Sequence, residues 1–140
     1  MPLYFYLVTI AASLVGLTIA YYIDAHKRSG QKMVCPLDSD CEAVVTSKYS
    51  TFLGHPLEKW GMLYYAAIIV VYLIFIFYPS LAHPAILGLV GISSAFASIF
   101  SLYLTYIQFA RLHEWCAWCL ASALASVTIF LAFLGNLFLV

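Results

Sequence analysis

Charge is what this chain has least of. Of 140 residues, six are Lys or Arg and six are Asp or Glu, 9% in all, against a hydrophobic share of 65% and a mean hydropathy of +1.00. Soluble domains carry about a quarter charged residues and about half apolar ones, so a soluble globular fold is excluded. With no net charge and so few cations, no nucleic-acid partner is expected either. Charge is missing altogether from residues 4–23, 60–78, 85–109 and 117–140, each stretch 19 residues or longer. At about 1.5 Å rise per residue, each can cross a hydrocarbon core of about 30 Å as a helix. The first stretch has no basic start and outruns the apolar core of a cleavable signal, so it reads as a crossing. Internal repeats and low-complexity tracts are also absent. The expectation is an all-α membrane protein: one domain over 1–140, a four-helix transmembrane bundle with a polar loop at about 24–59.

Lys and Arg are absent from one entire side of such a bundle. Lys27, Arg28, Lys32, Lys48 and Lys59 lie between crossings one and two, and Arg111 lies just before crossing four. The other side, made of both termini and the Tyr78 to Pro84 turn, has none. The positive-inside rule therefore puts the charged side in the cytoplasm. All six acidic residues share that side, but carboxylates contribute little to the rule.

Cysteine is scarce but paired, and both pairs fall on that same side. Cys35 and Cys41 are separated by five residues in the polar loop, while Cys116 and Cys119 form C-A-W-C at the start of crossing four. A disulfide forms and breaks through attack by a thiolate, so a working pair needs one acidified, accessible sulfur and a second close enough to resolve the mixed disulfide. C-x-x-C opening a helix supplies both. The helix amino terminus lowers the pKa of Cys116, and Cys119 lies one turn deeper on nearly the same face, where a quinone ring dissolved in lipid can approach. Two other classes remain open. The four cysteines can hold a soft metal as one site, with His26, His55 and His113 nearby, or the chain can be a tetraspan scaffold with fixed disulfides. Disulfide chemistry normally belongs outside the cytoplasm, so redox logic and charge logic point to opposite sides.

Several further features shape the loop and crossings. Residues 42–49 can form a short interfacial helix, broken by Gly54, His55 and Pro56. The short 79–84 turn makes helices two and three antiparallel neighbours. The row Gly91, Ser94, Ala95, Ser98 and Ser101 in crossing three reads as a helix-packing face, with Thr105 and Gln108 beyond it. Aromatics reach 17%, and Trp60, Tyr64, Tyr65, Trp115 and Trp118 can stack on a quinone ring or form an interfacial belt.

The order of parts resembles the vitamin K epoxide reductase family, especially its bacterial and archaeal disulfide-forming homologues. Cys35 and Cys41, the following V-V-T-S-K-Y-S, then G-H-P-L-E-K-W-G-M-L-Y-Y and a final C-x-x-C carry the likeness over nearly the whole chain. The resemblance implies a relay. Cys35 exchanges with a thioredoxin-like partner, Cys41 attacks the Cys116/Cys119 disulfide at Cys116, and electrons leave from Cys119 to a ubiquinone- or menaquinone-type acceptor. Ser47 matches the family's loop Ser or Thr, which supports the loop or its thiols. Gly61 and Tyr65 match positions near the quinone pocket, to which Trp118 is added as a stacking residue. No metal is expected in this reading. The animal enzymes carry an Asn and a Tyr, tied to vitamin K binding, where this chain has Leu57 and Ala123. That departure points away from epoxide reduction and toward a respiratory-type quinone. With no thioredoxin-like domain after crossing four, a separate soluble partner is implied.

Overall fold

The computed structural model describes residues 3–29, 51–52, 54–81, 83–112 and 117–138. Four long helices dominate the described residues: α1 (Leu3–Ser29), α2 (Leu57–Phe77), α3 (Pro84–Ile107) and α4 (Ala117–Phe138). Each is long and apolar enough to span a membrane, as the four-helix transmembrane bundle requires. The expected interfacial helix at 42–49 lies outside the described residues.

The helix ends differ from the uncharged stretches, for local reasons. α1 continues past Ile23 to Ser29, because the polar run there is helix-compatible. Arg28 Nε meets the buried Asp24 carboxylate at 2.9 Å one turn away, and His26 Nδ1 lies 3.0 Å from the Tyr22 carbonyl oxygen. α2 begins at Leu57 instead of Trp60, directly after Pro56, and carries Glu58 in its first turn, where the positive end of the helix dipole favours a carboxylate. Before it, β1 (Thr51–Phe52) and β2 (His55–Pro56) form a minimal antiparallel ladder, turned by Gly54 at φ 83°. α3 is capped by His83, whose Nδ1 accepts from the Ala85 amide at 3.2 Å, with Pro84 at the first helical position. At its far end it passes into a π-helical turn, Gln108–Leu112.

Lipid is as apolar as a leucine side chain, so the hydrophobic effect does little to bring these helices together and close packing at small residues must do it. Three glycines carry that role. A Cβ at Gly16 of α1 would run into the ring of Tyr65 of α2. One at Gly91 of α3 would lie 2.7 Å from the Phe133 ring of α4, and one at Gly135 of α4 would lie 2.9 Å from the Phe5 ring of α1. Each ring sits in a space that only glycine leaves. The helices accordingly pack α2 on α1, α1 on α4 and α4 on α3.

Helices α2 and α3 do not close the ring. The short turn that joins them makes them antiparallel, but they do not lie along one another as expected from the sequence, because a cavity separates them. Tyr65, Ile68, Tyr72 and Phe75 of α2 are buried in a core shared with Tyr6 of α1, Val90 of α3 and Ala125, Ile129 and Phe133 of α4, and Tyr65 and Ile68 also reach the cavity wall.

Gly16→Ala is expected to cost about 1–3 kcal/mol through overpacking against the Tyr65 ring, whereas Gly88→Ala, with open space around its Cβ, should leave the thermal midpoint unchanged or slightly raised. Thermal unfolding of the two variants in one detergent checks the contrast.

Candidate active site

Among the described residues the only cysteine is Cys119, half-buried in the first turn of α4. Cys35, Cys41, Ser47 and Cys116 lie outside them. Of the three histidines named for a metal site, His26 is turned toward its own helix, His55 sits edge-on to Trp60 at a centroid distance of 6.2 Å, and His113 is outside the described residues.

Cys119 stands on the wall of the cavity between α2 and α3. The cavity holds about 780 Å³, within the range of roughly 300–1,000 Å³ usual for small-molecule and cofactor sites. Its back is formed by Ile19, Ala20 and Ile23 of α1 and by Cys119, Ser122, Ala123 and Ser126 of α4. Leu63 of α2 and Leu89, Ile92 and Phe96 of α3 line it while remaining more than 60% exposed, so its open side faces the lipid. Three groups mark the end nearest the polar loop: Cys119, the buried Glu58 and the buried Gln108 at the start of the π turn. π turns inside long helices occur often at functional sites, since the extra residue re-aims the side chains around it.

Gly61 and Tyr65 line this cavity, as do Leu57 and Ala123. A Cβ on Gly61 would meet Ala20 at 3.8 Å and Tyr65 at 3.9 Å, ordinary contacts, so packing alone does not demand glycine there. Trp118 is not among the lining residues. Its indole packs against Tyr22, with ring centroids 5.1 Å apart, because one residue along a helix turns a side chain about 100° away from Cys119. The stacking role expected of it has no support in this geometry.

Below Cys119 the bundle is crossed by a layer of hydroxyls. Ser122 and Ser126 follow Cys119 at i+3 and i+7, on one face of α4, about 4.5 Å and about 10.5 Å deeper. The Tyr65 hydroxyl donates to the Ser122 carbonyl oxygen at 2.8 Å, with the Ser122 and Ser126 hydroxyls at 2.9 Å and 2.8 Å. A phenol has one proton and two lone pairs, so both serine hydroxyls donate to it and its capacity is filled. Ser98 of α3 donates to the Ser126 carbonyl oxygen at 3.1 Å, and Tyr64 of α2 reaches across to donate to Ser94 Oγ of α3, also at 3.1 Å. Ser94 and Ser98 thus serve helix contacts, as the packing reading of crossing three expects, whereas Ser101, Thr105 and Gln108 line the cavity. Sequence reasoning did not single out Glu58, Ser122 or Ser126. The two serines were discoverable, since they share the helical face of Cys119.

The vitamin K epoxide reductase family model matches residues 7–134. The chain belongs to that family, which makes it a multi-pass membrane protein of an oxidoreductase lineage. No curated protein matches it significantly.

Tyr65→Phe is expected to lower stability by about 1–2 kcal/mol, because it leaves the buried Ser126 hydroxyl and the half-buried Ser122 hydroxyl without their acceptor. Gly61→Ala should unfold within about 0.5 kcal/mol of the parent, the usual range where no contact is lost. Detergent melts of both variants test the pair.

Proposed function

We propose that this protein is a dithiol:quinone oxidoreductase that drives disulfide-bond formation in a thioredoxin-like partner, using one membrane domain over 1–140. The observation that carries the reading is the position of Cys119, on the wall of a largely apolar cavity open toward lipid and at the end nearest the polar loop. A molecule entering there comes from the membrane, and a thiol partner comes from water. Cys119 stands between them.

The chain's residues divide the work. Cys35 takes the partner's disulfide exchange, and Cys41 passes the electrons on by attacking Cys116 of the Cys116/Cys119 disulfide. Ser47 supports the loop or its thiols. Cys116, the residue that precedes α4 in the sequence, is the sulfur whose thiolate a helix dipole would favour. Cys119, one turn in, is the electron exit. A ubiquinone- or menaquinone-type molecule, when bound, supplies an acceptor for two electrons and two protons. In balance, the partner's dithiol becomes a disulfide and the quinone a hydroquinone. The cavity fits such a group: its volume holds a substituted ring, Gly61 and Tyr65 lie along its wall, and the open side leaves room for a prenyl tail.

Orientation follows the cations. Among the described residues Lys27, Arg28, Lys59 and Arg111 all sit at the end of the bundle that carries Cys119. By the positive-inside rule this face is cytoplasmic, inverted relative to the extracytoplasmic arrangement usual for the family.

Cys119→Ala is expected to abolish quinone reduction with any dithiol donor, while Cys35→Ala should block the protein partner and spare reduction driven by a small dithiol that reaches Cys116 directly. Stopped-flow quinone absorbance, recorded with both donors, separates these outcomes. In intact reduced cells a membrane-impermeant maleimide should leave Cys35 unlabelled, and ready labelling would place the redox face outside.

A further inference from the structure

Two adjacent tyrosines of α2 line the cavity, and their hydroxyls are in opposite states. That of Tyr65 is bonded to three oxygens at 2.8–2.9 Å, all on α4. Its proton and both lone pairs are used, and breaking into that set would leave several buried groups unsatisfied. That of Tyr64 makes one hydrogen bond, to a single serine hydroxyl, at 3.1 Å. This is long for a bond between hydroxyls, whose usual separation is about 2.7–2.8 Å. Serine can also rotate its hydroxyl to another acceptor at little cost. The Tyr64 hydroxyl therefore has fewer partners to give up than that of Tyr65 when it turns to a new acceptor.

Position adds to this. Tyr64 lies on the cavity wall, and its hydroxyl bridges from α2 to the buried Ser94 of α3, the two helices with little backbone contact. Along the membrane normal, Tyr64 is seven residues into α2 and Cys119 two residues into α4, about 10 Å against about 3 Å from the respective helix starts. A flat ring bearing oxygens at opposite ends, with one oxygen near Cys119, presents the other toward Tyr64. The residues at 57 and 123, which also line the cavity, are Leu and Ala and offer that oxygen no donor.

Resting on the quinone reading above, we infer that Tyr64 is the hydrogen-bond donor for the ring oxygen remote from Cys119, and that Ser94 holds this donor in the absence of ligand and yields it on binding. Tyr64 then acts as a substrate-binding residue, and Ser94 as a competitor whose removal helps. The two members of one hydrogen bond should have effects of opposite sign, which no simple brace between α2 and α3 would give.

The experiment is equilibrium binding of a ubiquinone analogue with one isoprenoid unit to the purified protein in detergent. It is followed by quenching of tryptophan fluorescence, to which Trp60 on the cavity wall contributes. Tyr64→Phe, which keeps the ring, should raise Kd about tenfold, the loss of one hydrogen bond of about 1.4 kcal/mol. Ser94→Ala should lower Kd about two- to fivefold, since the donor no longer has to leave a partner. A Tyr64→Phe Kd within twofold of the parent overturns the inference. So does weaker binding in Ser94→Ala, which makes the pair a structural brace and remains decisive if Tyr64→Phe fails to fold. No quenching or competition by the analogue in the parent protein overturns the quinone reading itself, and the role of Tyr64 with it.

Discussion

The Tyr65 side chain is the contact on which the rest of this bundle depends. Its ring fills the space left by Gly16 of α1, and its hydroxyl is tied to two turns of α4, so one residue of α2 fixes three helices at once. In water such a residue would add to a hydrophobic core that already held together. Between helices in lipid, where solvent gives little help, a close-packed ring and a satisfied polar cluster supply much of the specificity. Gly91 with Phe133 and Gly135 with Phe5 repeat the device at the neighbouring interfaces.

The consequence of locking three interfaces is that the fourth can stay open. α2 sends Tyr72 and Phe75 into the common core, while Trp60, Leu63, Tyr64 and Ala67 lie along the cavity wall. Holding a cavity in a membrane is less demanding than in water, because lipid can occupy the space that a packed side chain would otherwise fill. Cys119 owes its environment to the same arrangement. The Tyr65 cluster anchors α4 at Ser122 and Ser126, so the turn that carries the thiol is held from below while its sulfur stays on the cavity wall.

Much of this was legible in the sequence, and the reasons for the remainder are physical. Charge-free stretches mark the crossings because an uncompensated charge in hydrocarbon is too costly to keep. Ends are less visible: residues 24–29 look like a loop in composition, yet Asp24 and Arg28 at helical spacing continue α1 across the boundary. Gly61 and Tyr65, which the family likeness assigns to a quinone pocket, lie on the wall of this cavity. Trp118 looked equally suitable by residue type, but facing is set by helical phase, and one step from Cys119 turns it to Tyr22. Likewise a short connection says that α2 and α3 are antiparallel, not that they touch. Which tyrosine spends its hydroxyl on structure depends on distances between helices, which no pattern within α2 encodes.

The open side of the bundle also changes what affinity means for this protein. On the proposed quinone reading, a slot that faces lipid is filled from the plane of the bilayer, so a ring compound is concentrated by its own partitioning before it meets the site. Occupancy then tracks the mole fraction of the compound among neighbouring lipids, and its aqueous concentration matters only through that fraction. Two molecules with identical rings and unequal tails can share one intrinsic affinity and still differ by orders of magnitude in apparent potency. Membrane composition, including how much competing prenyl lipid a cell keeps in this leaflet, thereby becomes part of the binding equilibrium.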